Sequence, residues 1–354
     1  MSLSNARTLF PGAMGPEGFI SCFDYLMPEA TLRRKLVLKG GPGVGKSTFM
    51  RRVHAAMCSG DEASTLYFCS GDPDSLDAVA VPHAGLLILD GTAPHVVDPQ
   101  IPGARDSIIN LGECLDEPAM RTRLPHIRAC MADHAACTRR AVAALRAARP
   151  LRQDCAALAE SLADKKRLAR ITRALIAAVL AGEGTPDDAP GIRPVIADAV
   201  TPKGELSLIP ENALPRVIRL TAHFAMDLTG VLRTLSAAVR AAGYGVEEYL
   251  SPASPGSLLH LGIPALSTLV TTSDLIPSEQ TFDFAACLPA GAMLRHECAL
   301  EQSRAGIRLH MQKAVSALAQ AKQLHDELET FYVPNMDFAR WQQLLDRTLE
   351  SLAP

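Results

Sequence analysis

One run of residues carries the clearest chemistry in the chain. Gly40-Gly41-Pro42-Gly43-Val44-Gly45-Lys46-Ser47-Thr48 fits the pattern G-x-x-x-x-G-K-[ST]. The glycines let backbone N–H groups converge on phosphate oxygens with no Cβ in the way. A helix beginning at the lysine adds partial positive charge at its N-terminus. Lys46 is expected to reach the β- and γ-phosphates, and Ser47 to give its hydroxyl oxygen to Mg2+. The expected ligand is therefore ATP, or another nucleoside triphosphate, with Mg2+.

Asp90 closes the apolar run Leu86-Leu87-Ile88-Leu89. A buried strand that ends in a carboxylate delivers it to the edge where open α/β sheets bind ligands, so Asp90 is expected to hold Mg2+ through water. Gly91 follows, where many ATPases carry a glutamate that orients the attacking water. The base must then come from elsewhere. Ser70-Gly71-Asp72-Pro73-Asp74-Ser75-Leu76-Asp77 offers three acids beyond another strand, with Asp72 the leading base and Asp74 a γ-phosphate or substrate contact. The alternative is a capped turn, because Asp, Ser and Pro-Asp also build those. In Gly91-Thr92-Ala93-Pro94-His95, Thr92 could sense the γ-phosphate and His95 could contact phosphate or substrate; a solvated loop histidine is the plainer reading.

The elements that must position these groups are written twice. A shift of 182 residues aligns Arg34–Thr92 with the second half without a gap, with identities at Arg34/Arg216, Leu38/Leu220, Arg51/Arg233, Tyr67/Tyr249, Pro73/Pro255, Ser75/Ser257, Leu76/Leu258 and Pro82/Pro264 among others. A shift of 173 aligns the later helical stretch, including Ala141/Ala314, Val142/Val315, Ala144/Ala317, Leu145/Leu318, Ala148/Ala321, Asp164/Asp337 and Arg167/Arg340. Short apolar strands (Lys35–Leu38, Thr65–Cys69, Leu86–Leu89) alternate with helical patterns such as Ser47–Met57. The expected fold is α/β: two tandem P-loop NTPase-like domains with parallel sheets, residues 1–197 and 198–354. Each carries a long helical arm, about 106–180 and 295–352, with Pro125 and Pro150 as kinks or turns in the first. The Gly-, Pro- and Asp-rich stretch Ala181–Gly204 marks the boundary.

The second copy has lost the phosphate-binding residues. Opposite Gly40–Thr48 stand Ala222, His223, Phe224, Ala225, Met226, Asp227, Leu228, Thr229 and Gly230; opposite Asp90 stands Thr272. A lysine has become Leu228, and Asp227 would repel phosphate. One competent site beside one degenerate copy is expected, the copy being kept for packing, for a partner or for another ligand.

The Lys39-Gly-Gly-Pro-Gly loop, Asp72-Pro-Asp-Ser-Leu-Asp and Leu89-Asp-Gly-Thr-Ala-Pro-His95, with the Thr201-Pro-Lys-Gly204 opening of the second half, together resemble a bacterial family of tandem P-loop proteins, described variously as ATPases or nucleotide kinases. The resemblance covers essentially the whole chain. It implies two P-loop domains and nucleotide binding. Members of that family carry a P-loop in both halves, and this chain departs from them at Leu228.

Three functions follow as expectations: an ATPase whose hydrolysis moves the halves against each other, a small-molecule or nucleotide kinase with Asp72 as base, or a nucleotide-dependent switch or scaffold with negligible turnover. Composition narrows the setting. The chain is 48% hydrophobic and 21% charged with net charge −3, so no bulk field favours nucleic acid or a membrane. It shows no secretory signal and no run long enough to cross a bilayer. Its nine cysteines form no C-x-x-C pair and suit buried thiols in a reducing cytoplasm. Arg121–Arg173 holds thirteen bases against four acids. That arm is expected to be a solvated face, to meet the other half or to meet an unknown protein. Nucleic acid is disfavoured because no aromatic residues interleave the arginines.

Overall fold

The computed structural model describes residues 6–58, 62–93, 95–188 and 190–352. In the first half, strands β1 (Ala6–Leu9), β2 (Gly12–Gly15), β3 (Gly18–Ser21), β4 (Arg34–Lys39), β5 (Ser64–Phe68), β6 (Leu76–Val81), β7 (Leu86–Asp90) and β8 (Asp106–Asn110) are joined by helices α1 (Lys46–Met57), α2 (Glu117–Leu162) and α3 (Lys165–Leu180). The second half repeats them as β9 (Ile192–Val195), β10 (Asp198–Thr201), β11 (Gly204–Ser207), β12 (Arg216–Thr221), β13 (Val246–Leu250), β14 (Leu258–Ile263), β15 (Thr268–Thr271) and β16 (Gln280–Asp283), with α4 (Thr229–Ala241), α5 (Ala290–Tyr332) and α6 (Phe338–Leu352).

Each half holds one six-stranded sheet, ordered β1-β5-β6-β7-β4-β8 and β9-β13-β14-β15-β12-β16. The sheets are mixed, which corrects the expectation of parallel ones. β6 runs antiparallel to β5 and β7, and β14 antiparallel to β13 and β15, while the remaining pairs are parallel. The cause is connection length: Cys69–Ser75 and Pro82–Gly85 are too short for the crossover of a dozen or more residues that parallel neighbours need. β6 thus takes up Leu76 and Asp77, the end of the acid-rich run Ser70–Asp77. Asp106–Asn110 is likewise a strand beside β4 and not the start of an arm. Pro125 and Pro150 lie inside the continuous helix α2.

The repeat extends beyond the two aligned windows. β1, β2 and β3 match β9, β10 and β11 at an offset of 186, from Ala6/Ile192 to Ser21/Ser207. Both halves break register at the same place, between Tyr67 and Phe68 and between Tyr249 and Leu250. They meet around a pseudo-twofold axis. Phe10 bridges Ile196, its own counterpart. α2 and α5 run antiparallel: Ile127 and Cys130 pack with Leu328, and Ala141, Ala144 and Leu145 pack with Met311, Ala314 and Leu318. A residue on a twofold axis contacts its own copy, which is a physical reason for the Ala141/Ala314 and Leu145/Leu318 identities. Leu9, Tyr67 and Leu89 share a core with Val195, Tyr249 and Leu269. At its edge Arg7 donates to Glu247 and to Tyr249 Oη (2.7 Å), and Arg193 donates to Tyr67 Oη (2.7 Å) and to Glu247 (3.1 Å).

The last helix of each half covers the opposite sheet. Trp341, Leu345 and Leu352 of α6 pack with Leu36, Phe49 and Val53 in the first half. Leu175 and Val179 of α3 pack with Ile218, Leu232 and Val239 in the second. β9 belongs to the second sheet although it lies before residue 198. No helix among the described residues is long and apolar enough to cross a membrane.

Candidate functional site

The glycine loop lies between β4 and α1. β4 is an interior strand between β7 and β8, and Leu36, Val37 and Leu38 are buried on both its faces, as a strand with parallel neighbours requires. α1 lays Phe49, Met50 and Val53 onto the sheet. Between them Gly43 (φ 69°) and Gly45 (φ 82°) take left-handed conformations that a Cβ would strain. Gly45 leaves the N-terminus of α1 with no side-chain cap. Lys46 Nζ folds back onto the carbonyls of Gly40 (2.9 Å) and Gly41 (2.8 Å) and stands 3.5 Å from Asp90 Oδ2. Ser47 Oγ accepts the Leu76 N–H at 3.0 Å. This bond ties the loop to β6, and Thr229 makes the same bond to Leu258 in the second half. Pro42, Val44 and Thr48 complete the turn, with Val44 fully buried.

Asp90 ends β7 as expected. Its Oδ1 accepts from Thr92 N (2.8 Å) and from the Thr92 hydroxyl. Thr92 therefore orients the carboxylate in this conformation. Gly91 has a steric reason. A Cβ there would stand 2.4 Å from Val37 Cγ1 and 2.8 Å from the Val97 carbonyl, and Lys39 Nζ ties Gly91 O to Val97 O. No glutamate fits at this position.

His95 is not a solvated loop residue. Its ring stacks on Phe23 (4.6 Å) and lies tilted to Phe19 (5.5 Å), and its side chain is 7% exposed. Both ring nitrogens are buried without a hydrogen-bond partner. Nε2 is 3.9 Å from Asp77 Oδ1. Burial holds the imidazole below its usual pKa, hence neutral. Asp77, on β6, faces the same space. Burial and the adjacent Asp90 carboxylate push its carboxyl up to about 7. Asp77, Asp90 and His95 bring one ligand atom each to within 4.8 Å of one another. Pro94, between Thr92 and His95, lies outside the described residues.

Asp72 and Asp74 sit in the turn before β6 and face the second half. Asp72 Oδ2 accepts the Ser75 hydroxyl (2.7 Å) and stands 3.7 Å from Lys322 Nζ. Asp74 pairs with Lys203 at 2.6 Å. Lys203 belongs to the Thr201-Pro-Lys-Gly204 turn, so two of the motifs singled out in sequence meet across the halves.

Four residues next to the loop were not foreseen, and all come from the second half. A Cβ on Gly41 would lie 2.4 Å from Tyr332, one on Gly43 2.8 Å from Val333, and one on Gly45 3.1 Å from Trp341 Nε1. Glu329 lies against the same loop, its Cβ 3.3 Å from where a Gly43 Cβ would stand, and the His325 imidazole 3.6 Å away holds its carboxyl below the usual range. No local signal marks these residues, because the exchange of helices alone brings them there. For Asp77 a signal existed: a lone acid at the head of the apolar run Ala78-Val79-Ala80-Val81.

No protein-family model, curated protein or solved structure matches this chain. The resemblance to tandem P-loop proteins rests on the motifs themselves.

Proposed function

We propose that the chain binds one nucleoside triphosphate, ATP or a relative, with Mg2+ at Gly40–Thr48 and hydrolyses it, the second half serving as the cover that the nucleotide displaces. One observation carries the reading. A loop with two left-handed glycines and an uncapped helix N-terminus presents Lys46 beside the strand-end carboxylate Asp90, 3.5 Å away. Donors, dipole and cation then converge where a polyphosphate would lie. The donor set also suits Mg2+, a hard cation that takes hydroxyl and carboxylate oxygens and keeps waters. Ser47 would hold it directly and Asp90 through water. Bound there, Mg2+ would neutralise phosphate charge.

The chain's own residues supply the rest. Lys46 leaves the Gly40 and Gly41 carbonyls to meet the phosphates. Glu329 stands against Gly43, whose N–H a phosphate oxygen would use, so binding displaces Glu329 and shifts the end of α5. The same helix carries Lys322, which stands against Asp72. Its departure leaves Asp72 free to take the proton of the attacking water. Nine free thiols suit a reducing cytoplasm.

Gly91 favours a second reading. With no room for a glutamate there, the acceptor could instead be a metabolite hydroxyl, with Asp72 as its base. Incubation with γ-labelled ATP, with and without a metabolite mixture, separates the outcomes. Label released as free phosphate means hydrolysis. Label on a metabolite means a kinase. Tight binding with neither means a switch. Equal binding by wild type and Lys46→Ala sinks all three.

A further inference from the structure

We infer that Asp77, Asp90 and His95 form a binding site for a first-row divalent transition-metal ion. The argument starts from His95. An imidazole with both nitrogens buried and unpartnered is costly, since each buried polar group left unsatisfied costs about 1–3 kcal/mol. Phe23 stacks on the ring and Phe19 lies tilted beside it, and neither offers a polar partner. Nε2 stands 3.9 Å from Asp77 Oδ1. This is too long for a hydrogen bond. It is the kind of gap a shared cation spans, because ligand atoms at about 2.1 Å from one metal stand roughly 3 Å to 4 Å from each other.

The carboxylates give the second argument. Asp77 and Asp90 are both buried, with carboxylate oxygens within 4.8 Å of each other. Lys46 answers part of that charge at 3.5 Å from Asp90. A divalent ion would answer the rest. Imidazole nitrogen beside two carboxylates favours a first-row transition ion over Mg2+, which takes oxygen ligands. The argument uses only the geometry of these three side chains, so the inference does not depend on the triphosphate reading. Among the described residues this is also the one cluster of its kind. The second half lacks it, with Leu259 opposite Asp77 and Thr272 opposite Asp90.

Mn2+ is the probe, added to the nucleotide-free full chain. The expected result is saturable binding seen as loss of the free-ion EPR signal. Displacement should need at least tenfold more Mg2+, and pulsed EPR should detect 14N coupling from a bound imidazole. His95→Ala should remove the 14N coupling, and it and Asp77→Asn should each weaken Mn2+ binding at least tenfold. Lys46→Ala should lose nucleotide but keep Mn2+, which separates this site from the nucleotide reading. Absence of 14N coupling in the wild type overturns the inference by itself, whatever the stability of the variants. So does displacement by equimolar Mg2+, or undiminished Mn2+ affinity in folded His95→Ala.

Discussion

The loops at Gly40–Thr48 and Ala222–Gly230 occupy equivalent places in equivalent sheets, yet they solve the same physical problem in opposite ways. Both precede a helix whose first N–H groups lack intrahelical acceptors. In the second half the answer is internal: Asp227 Oδ1 accepts the Thr229 N–H at 2.8 Å, so a carboxylate of the chain itself sits at the helix N-terminus. No residue of that loop takes a positive φ, and Leu228 is buried in the core beside Val231 and Leu232. In the first half the glycines leave the helix N-terminus uncapped, and Lys46 lies half-buried beside Asp90 at the sheet edge. The cover differs as well. Tyr332 and Trp341 stand over the first loop, whereas the second packs Ala225 with Ala159 and Leu288. The two loops therefore differ in more than a lysine. The second places its own carboxylate at the helix N-terminus and packs the space beside it with its own side chains.

The comparison is most sharply broken or upheld at the paired positions 46 and 228. Lys46→Ala should weaken binding of a nonhydrolysable ATP analogue at least a hundredfold by calorimetry. Leu228→Ala should leave that affinity unchanged and instead lower stability by about 2–4 kcal/mol in urea unfolding, the usual cost of a core cavity. Equal losses of binding would mean two working sites. Next in size is Gly45→Ala. The left-handed backbone and the close Trp341 indole should cost stability by about 1–2 kcal/mol and weaken nucleotide binding with it. Trp341 is the single tryptophan of the chain, so its fluorescence reports both.

A smaller effect, of opposite sign, tests the cover. Glu329→Gln removes an anion that lies beside Gly43 and should tighten nucleotide binding several-fold in a fluorescence titration. Weaker binding would mean that Glu329 helps to hold the ligand. The smallest effect belongs to the degenerate side. Gly230 lies in α4 with open space around its Cα, so Gly230→Ala should stabilise the protein by roughly 0.5–1 kcal/mol through helix propensity alone. Its nucleotide affinity should not change.

Much of the candidate site was legible because its signals are local. The strand, the glycine loop and the start of α1 are neighbours in sequence, and their patterns depend on the residues themselves: β-branched and leucine runs, left-handed glycines, an apolar helix face. Asp90 could be placed for the same reason. The direction of β6 was readable in principle from the short links around it. His95 was not, because its burial is set by Phe19 and Phe23, some seventy residues earlier. Asp72 and Asp74 face partners, Lys322 and Lys203, that lie further still.

The sequence alone thus determined that the fold is α/β, that it is duplicated, and that only one copy carries the G-x-x-x-x-G-K-[ST] pattern. These are matters of local pattern and of one segment compared with another. Tertiary structure decided the rest: a mixed sheet, a pseudo-twofold interface, and a loop covered by the other half's last helices. The reason is that α3 and α6 are amphipathic helices whose apolar faces fit either sheet equally well by composition. Which sheet each one covers depends on the antiparallel pairing of α2 with α5, which carries each chain end across to the opposite half. No residue pattern within either helix records that choice.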